Sequence, residues 1–366
     1  MEITKGMVFR IYPTKAQEEK INKTLGCCRY VYNHFLSVRT NIYKETGKGI
    51  SYYKTSAMLT DLKKELGWLK EADSMALQEA LRNLDRSFQN FFEKRANYPT
   101  FHSKRSNNQS YRTRNQNNGI RIVGKYINIP KLGHIKFKQT MFIEGSILNA
   151  TLRRKPSGKY FISLCVKQEI KPLINNGGKI GIDVGIKSFY SDSNGNVIEN
   201  PKYLNKTLKK VKREQKRLSR KQKGSKNRDK QRLCLARAHE KISNQRNDFL
   251  QKQSTILVRE NQTICIENLR IRNMLKNHKL ARSISDVAWG NFYKMLEYKS
   301  VWYGTEIRRI PTFYPSSQTC SNCGYLNKDV KNLTVRKWIC PCCSKEHDRD
   351  NNASINILIK GLQQSA

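Results

Sequence analysis

Three acidic residues stand out because each is carried by a segment that would ordinarily exclude a charge or make nothing of one. Asp183 interrupts the apolar run Ile180-Gly181-Ile182-Asp183-Val184-Gly185-Ile186. A carboxylate inside such a strand is costly unless a cation or hydrogen-bonding partner compensates it. Glu267 closes the strand-like run Thr263-Ile264-Cys265-Ile266, and Asp350 opens a late helical pattern in Arg349-Asp350-Asn351-Asn352-Ala353, with Asp348 as a nearby competitor. Singly, each has a plainer reading as a strand-end turn, a surface glutamate or a helix cap. In this order, two strand carboxylates and one at a helix start can converge on one point. Hard oxygen donors suit Mg²⁺ or Mn²⁺. Two such ions about 3.5–4 Å apart clamp a scissile phosphate, one activating water and the other stabilising the leaving oxygen. The expected site has Asp183 as bridging ligand, Glu267 and Asp350 completing it, and Gly181 and Gly185 leaving room for a substrate backbone.

A second constellation is made of sulfur. Cys320-Ser-Asn-Cys323 and Cys340-Pro-Cys342-Cys343 give two C-x₂-C pairs separated by 16 residues, with Gly324 where a tight knuckle turn needs it. That spacing is the pattern of a zinc ribbon. Cys320, Cys323, Cys340 and Cys343 would fill a tetrahedral ion and leave no open position, so one structural Zn²⁺ is expected. Cys342 is a fifth thiol able to exchange with a neighbour. Cys27, Cys28, Cys165, Cys234 and Cys265 stand apart and read as core packing.

The charge names the class of partner. Seventy Lys and Arg against 29 Asp and Glu give +41, an excess that calls for a bound polyanion. Nucleic acid fits best; an acidic membrane surface fits less well, because no amphipathic segment sets basic residues beside an apolar face. No run approaches the ~18 apolar residues needed to cross a bilayer, and MEITKGMVFRIYPTKAQEE lacks the apolar core of a signal peptide. An intracellular, reducing location follows as the expectation. Residues 202–232 hold fifteen Lys or Arg and two acids. A merely solvated helix face would alternate signs to form i,i+4 pairs, so phosphate contact is expected there, at Lys209, Lys210, Arg213 and Arg217.

The elements that must position these groups follow from periodicity. GMVFRIY reads as a strand stopped by Pro13, and residues 14–92 as mainly helical. Leu77, Leu81, Leu84, Phe88 and Phe91 form one buried stripe beside a polar face of Gln78, Arg82, Asp85 and Gln89. Residues 98–124 are polar and basic, a loop or edge segment. RIVGKYINI, HIKFK, ATLRRK and KYFISLCVK are strand candidates, the last two flanking a Pro156-Ser157-Gly158 turn. A second domain starts near Asn175-Asn176-Gly177-Gly178. It opens with a buried strand over 179–190 and a Ser193-Asn194-Gly195-Asn196 turn. A helical hairpin follows over 203–261, turning at Gly224-Ser225. Then come TICIENL, a helix over 285–303, EIRRI closed by Pro311, the cysteines, and a final helix over 351–363.

These residues resemble the TnpB family, insertion-sequence-encoded relatives of the type V CRISPR effector nucleases, along nearly the whole chain. The resemblance rests on FRIYPTKAQEEKINKTLGCCRYVYN, GIDVGIKSF, IENL, SSQTCSNCG with WICPCC, and HDRDNNASINI. Ser354, where alanine is usual, and Cys342 depart from the pattern. The resemblance implies a multidomain α/β and α+β protein. Its parts would be a wedge-like β-barrel lobe (1–13 and 121–172) with a helical recognition insertion (14–120), and an RNase H-like (RuvC) domain (173–311 and 346–366) with an inserted zinc ribbon (312–345). It implies an RNA-guided DNA endonuclease whose guide is transcribed from the end of its own transposable element. Such an enzyme cuts double-stranded target DNA beside a short flanking motif, in the cytoplasm of a prokaryotic cell at the nucleoid. On that mapping Asp183, Glu267 and Asp350 are catalytic, the four cysteines hold zinc, and Gln78 and Arg82 face the motif-flanking duplex or the heteroduplex. Base pairing then reads the target while protein reads backbone shape. The competing readings are a catalytically silent nucleic-acid-binding zinc protein serving the transposon, and a transposase that joins ends itself.

Overall fold

The computed structural model describes residues 1–106, 109–170, 172–173 and 177–363, which form two compact units. Residues Asn175 and Asn176, half of the expected domain punctuation, lie outside the described residues; the units meet in sequence at Glu169 and Ile170.

The first unit, Glu2–Glu169, starts with β1 (Glu2–Tyr12), whose Ile3, Met7, Phe9 and Ile11 are buried at strand alternation. Pro13 ends it, and Thr14 caps α1 (Lys15–Thr46) in a reciprocal box with Gln17. Gly47, at φ +66°, closes that helix in the left-handed conformation. Then come α2 (Tyr52–Glu65) and α3 (Ser74–Phe92), the latter burying Leu77, Leu81, Leu84 and Phe88 as its spacing requires, with Phe91 half-buried at the stripe's end. The strands β2 (Gln109–Arg114), β3 (Arg121–Val123), β4 (Tyr126–Ile129), β5 (Gly133–Lys138), β6 (Ser146–Arg154) and β7 (Tyr160–Glu169) join β1 in one curled sheet, ordered β2-β6-β7-β1-β5-β4-β3. It is a half-barrel rather than a closed barrel, since β2 and β3 remain its edges. The helical insertion accordingly stops short of residue 120: the polar segment after it contributes the edge strand β2, paired with β6 from Gln109–Arg154 to Arg114–Asn149. RIVGKYINI is likewise two strands, turning at Gly124.

The second unit comprises Met1 and Ile170–Ala366. Here β8 (Lys179–Val184) and β9 (Ser188–Asp192) form an antiparallel pair, so the single strand expected over 179–190 is two, reversed at Gly185. Then β10 (Val197–Glu199), α4 (Tyr203–Ser219), α5 (Lys226–Glu260) and β11 (Thr263–Glu267) follow, with a turn near Gly224 between the long helices. A short α6 (Ile271–Met274), α7 (Ala281–Val287) and α8 (Trp289–Tyr303) lead to β12 (Glu306–Ile310). Ala288, at φ +57°, separates α7 from α8 where one helix was expected. The ribbon hairpin β13 (Lys337–Ile339) and β14 (Glu346–Asp348) runs directly into α9 (Arg349–Gln363).

The sheet order is β10-β9-β8-β11-β12, with β11 parallel to both β8 and β12. Alternation decides what each face meets. Ile180, Ile182, Ile264 and Ile266 join Leu250 and Leu257 of α5 and Phe292 and Leu296 of α8 in one core. Cys265 faces the other way, with Ile357 of α9. The helix approaches closely because of two glycines. A β-carbon at Gly181 would overlap the Ser354 carbonyl and meet the Leu358 nitrogen at 2.7 Å; one at Gly361 would overlap the Cys265 side chain, its Cβ at 2.8 Å. The room beside Gly181 is therefore filled by α9, not left for a substrate, and at Gly185 it faces the Ser188 carbonyl at 3.0 Å. Ser354 is fully buried, its hydroxyl donating to Asn351 O at 2.7 Å.

Candidate metal and carboxylate centre

The parallel register aligns Cys265 with Gly181 and Ile266 with Ile182. The next residue on each strand is Glu267 and Asp183, so both carboxylates leave the carboxyl ends of adjacent strands on the face that α9 covers. Asp350 lies in the first turn of α9, where free N–H groups and the helix dipole favour negative charge.

The three charges sense one another. Asp183 is partly accessible, yet enough protein surrounds it that loss of hydration raises its pKa well above the carboxylate range; the charges of Glu267 and then Asp350 raise it further, against Arg349 and Arg336. Burial raises Glu267 also, opposed by the Ser316 hydroxyl, which donates to Glu267 Oε1 at 2.9 Å. Asp350 receives Arg336 Nη1 at 3.2 Å on each oxygen. Asp348 serves the helix instead. Its Oδ1 accepts from the backbone nitrogens of Asp350 and Asn351, both at 3.1 Å, and so caps α9.

The four cysteines do converge. The sulfurs of Cys320, Cys323, Cys340 and Cys343 all lie within 4.8 Å of one another. The Cys320–Cys343 and Cys323–Cys340 separations are 3.6 Å. A Zn–S bond of about 2.3 Å gives a tetrahedral edge of about 3.8 Å, so the donor set fits zinc. The thiols shift in opposite directions: Cys343 is lowered to about 6, first through the Asn322 side chain, whereas burial raises Cys320. Among the described residues this is the one set of three or more metal-binding side chains drawn so tight; the carboxylates stand further apart. Cys342 is exposed and outside the cluster. Cys27, Cys28 and Cys265 are buried, but Cys165 is only half-buried and Cys234 is exposed on α5, which corrects the expectation of core packing for that residue.

Of the expected nucleic-acid contacts, Lys209, Lys210, Arg213 and Arg217 are exposed on α4, whose buried residues are Val211 and Glu214. Glu214 holds Arg217 at 3.4 Å and Arg213 at 3.5 Å, and accepts from Gln231 of α5 at 2.7 Å. In the first unit Arg82 stacks over the Tyr52 ring at 4.5 Å beside Glu79, and Gln78 is half-buried one turn earlier.

Sequence reasoning missed several residues. Arg336, Ser316 and His347, whose Nε2 lies 3.0 Å from Cys320 Sγ, are ordinary loop or strand residues in the sequence. Only the nearness of His347 to the second cysteine pair could have signalled it, since a ring N–H beside a zinc thiolate is a common support.

Comparison with known proteins adds an independent line. Residues 163–278 match a family model described as OrfB_IS605, "Probable transposase", 289–357 one described as "Cas12f1-like, TNB domain", and 1–48 one described as "Helix-turn-helix domain". In this structure residues 1–48 form β1 and one continuous helix. A Streptomyces pristinaespiralis protein named "Putative RNA-guided DNA endonuclease" is 41% identical over 100% of this chain and 91% of its own length. The Escherichia coli K12 protein named "Putative RNA-guided DNA endonuclease InsQ" is 32% identical over 99% and 93%. A solved Cas12f1 chain, from a complex with sgRNA and target DNA, superposes with a TM-score of 0.63 at 15% identity, covering 97% of this chain and 98% of that one. It shares the mixed α/β fold. No helix among the described residues is long and apolar enough to cross a membrane.

Proposed function

This chain belongs to the IS605 OrfB (TnpB) family, and from that premise we propose that it is an RNA-guided DNA endonuclease of a transposable element, hydrolysing phosphodiester bonds at Asp183, Glu267 and Asp350. The observation that carries the reading is the placement of two desolvated carboxylates side by side on adjacent parallel strands, with a third at the start of the helix covering them. The sheet order β10-β9-β8-β11-β12, with β9 antiparallel and β11 parallel beside β8 and β12 parallel to β11, supports an RNase H-like (RuvC) core.

The carboxylates are hard donors whose shared charge needs a counter-ion, which fits Mg²⁺ or Mn²⁺. When bound, two such ions supply water activation and stabilise the leaving oxygen. The chain's own groups do the positioning. Ser316 fixes one oxygen of Glu267, and Arg336 is within reach to hand its charge from Asp350 to a phosphate. Guide RNA and double-stranded target DNA are the partners, and exposed Lys209, Lys210, Arg213 and Arg217, with Gln78 and Arg82 of α3, are assigned to their backbones. The domain division follows the same reading: a wedge of β1 to β7, a recognition lobe of α1 to α3, a nuclease domain of β8 to β12 with α4 to α9, and a ribbon carrying β13 and β14. A silent zinc protein would carry the clustered carboxylates as an uncompensated cost. A transposase has only the family model's description in its favour, whereas both full-length relatives are named endonucleases.

The protein purified with its RNA is expected to cut DNA matching that RNA, and Asp183→Ala to abolish cleavage while RNA binding persists. Wild-type cutting by Asp183→Ala, or indiscriminate cutting by RNA-free protein, refutes the proposal.

A further inference from the structure

Two asparagines on α9 are buried where a helix packed on a sheet would be expected to carry apolar residues. Asn352 and Asn356, one turn apart, are 1% and 3% exposed. Their amides are engaged by the loop that bears the first cysteine pair. Asn352 Nδ2 donates to Thr319 O at 2.7 Å, and its Oδ1 accepts from Ser321 N at 2.9 Å. Asn356 Nδ2 donates to Ser316 O at 2.8 Å and to Thr319 O at 2.6 Å. These contacts tie residues 316–321 to the helix that begins with Asp350. An apolar side chain at 352 would leave the Ser321 N–H without its acceptor and one at 356 would leave the Ser316 carbonyl without its donor, while Thr319 O is shared by both; asparagine here is a bonding requirement and not a packing choice.

The tied loop touches both metal centres. At one end Ser316 donates its hydroxyl to Glu267, and at the other Cys320 enters the thiol cluster. Across the ribbon, His347 of β14 meets Cys320 Sγ at 3.0 Å, and β14 runs without a break into α9 and Asp350. The loop's backbone bonds are to its own neighbours within residues 314–327, such as Cys320 N to Tyr325 O at 2.8 Å and Asn327 N to Gln318 O at 2.9 Å, with the bridge of Thr319 to Leu326. Its attachment to α9 runs through the asparagine side chains.

We propose that Asn352 and Asn356 are positioning residues that lock the first cysteine knuckle onto α9, fixing Glu267 relative to Asp350, so that occupancy of the zinc site controls divalent-cation affinity at the carboxylate centre. The proposal rests on the carboxylate-centre reading above. Hydrogen-bond partners that orient metal ligands typically control affinity by 10–100-fold, and the asparagines act through such a partner, Ser316.

The test is Mn²⁺ binding, followed by the electron paramagnetic resonance signal of free Mn²⁺, to the full zinc-loaded chain stripped of RNA at high salt. Asn352→Ala and Asn356→Ala are each expected to weaken the Asp183-dependent site about 10–100-fold, with zinc retained at about one per chain. Ser316→Ala, which removes the hydroxyl through which the asparagines act, is expected to weaken it by a similar factor, and chelating zinc away to reproduce the asparagine loss. Unchanged Mn²⁺ affinity in both asparagine variants overturns the proposal, even if their melting temperature falls. Should those variants not fold, Ser316→Ala and the zinc-free chain carry the test, and wild-type affinity in both overturns it. If the unsubstituted chain and Asp183→Asn bind Mn²⁺ alike, the carboxylate-centre reading fails first and this inference with it.

Discussion

Replacing Asp183 by asparagine should stabilise the protein when no divalent cation is added, although it removes a residue assigned to catalysis. Asp183 and Glu267 occupy successive-strand positions directly after the aligned pair Ile182 and Ile266, which sets their strands about 4.8 Å apart. Two unit charges about 5 Å apart repel by about 3 kcal/mol at an effective dielectric of about 20. Partial exposure of Asp183 screens part of this, leaving about 1–2 kcal/mol of relief in Asp183→Asn. For a unit of this size that corresponds to a melting-temperature rise of roughly 2–8 °C.

The sign with pH follows from the direction of the shift. Asp183 has a folded pKa raised above its unfolded value, so the folded state binds the proton more tightly and loses stability as pH rises from the unfolded value through the folded one. The asparagine variant should therefore gain its advantage across that window and keep it above. Near pH 4 and below, the two proteins should melt together. Saturating Mg²⁺ or Mn²⁺ should reverse the order, because a cation at 100 times its dissociation constant stabilises the wild-type centre by about 2.7 kcal/mol. Thermal denaturation between pH 4 and 8, with zinc retained and divalent cation added or omitted, measures all of this. A variant less stable than wild type at pH 7 without cation, or an advantage untouched by Mn²⁺, would show that the carboxylates are not the repelling, cation-seeking cluster described.

Other outcomes are equally specific. Cys343→Ser should reduce zinc from about one ion per chain to almost none, whereas Cys342→Ser should leave it unchanged; atomic absorption decides. Changing Lys209, Lys210, Arg213 and Arg217 together to glutamine should flatten the dependence of log affinity on log salt for RNA by roughly three units, at about 0.7–0.9 for each phosphate no longer neutralised; a slope equal to wild type removes α4 from the interface. Gly181→Ala, whose β-carbon would meet the Ser354 carbonyl and the Leu358 nitrogen, should cost about 1–3 kcal/mol, read by urea denaturation.

The site was legible in the sequence to the extent that it broke local rules. A carboxylate in an apolar strand and two cysteine pairs at ribbon spacing conflict with their surroundings, which is what made them visible. The four thiols do meet, and Asp183 and Glu267 do leave neighbouring strands. The relations between segments were not legible. Gly181 reads as space for a ligand because a missing β-carbon carries no label saying which neighbour uses the room; here it is α9. The run over 179–190 is apolar whether it is one strand or two, and Gly185 alone is a weak sign of reversal. The α7–α8 break falls on Ala288, a residue with no turn preference. Asn352 and Asn356 look like helix-start composition in sequence, and only the carbonyls they reach distinguish them from caps.

The distribution of acids argues more strongly than their number. In a chain of +41, a buried acid would be expected to sit against a basic group, and three do, while buried Asp192 is satisfied by the amides of Asn194 and Asn196. Glu79 gathers Arg114 at 2.6 Å with Arg82 and Arg112 nearby, Glu214 holds Arg213 and Arg217, and Asp286 holds Arg246 at 2.7 Å. Each such acid fixes arginines while leaving the surface basic for a polyanion. Asp183 and Glu267 form no ion pair of 4.0 Å or less among the described residues, and both are raised by lost hydration. With seventy basic side chains available, leaving these two unneutralised is a structural cost that an arginine could have removed. A cation supplied from outside the polypeptide removes the same cost while keeping the oxygens free to hold it.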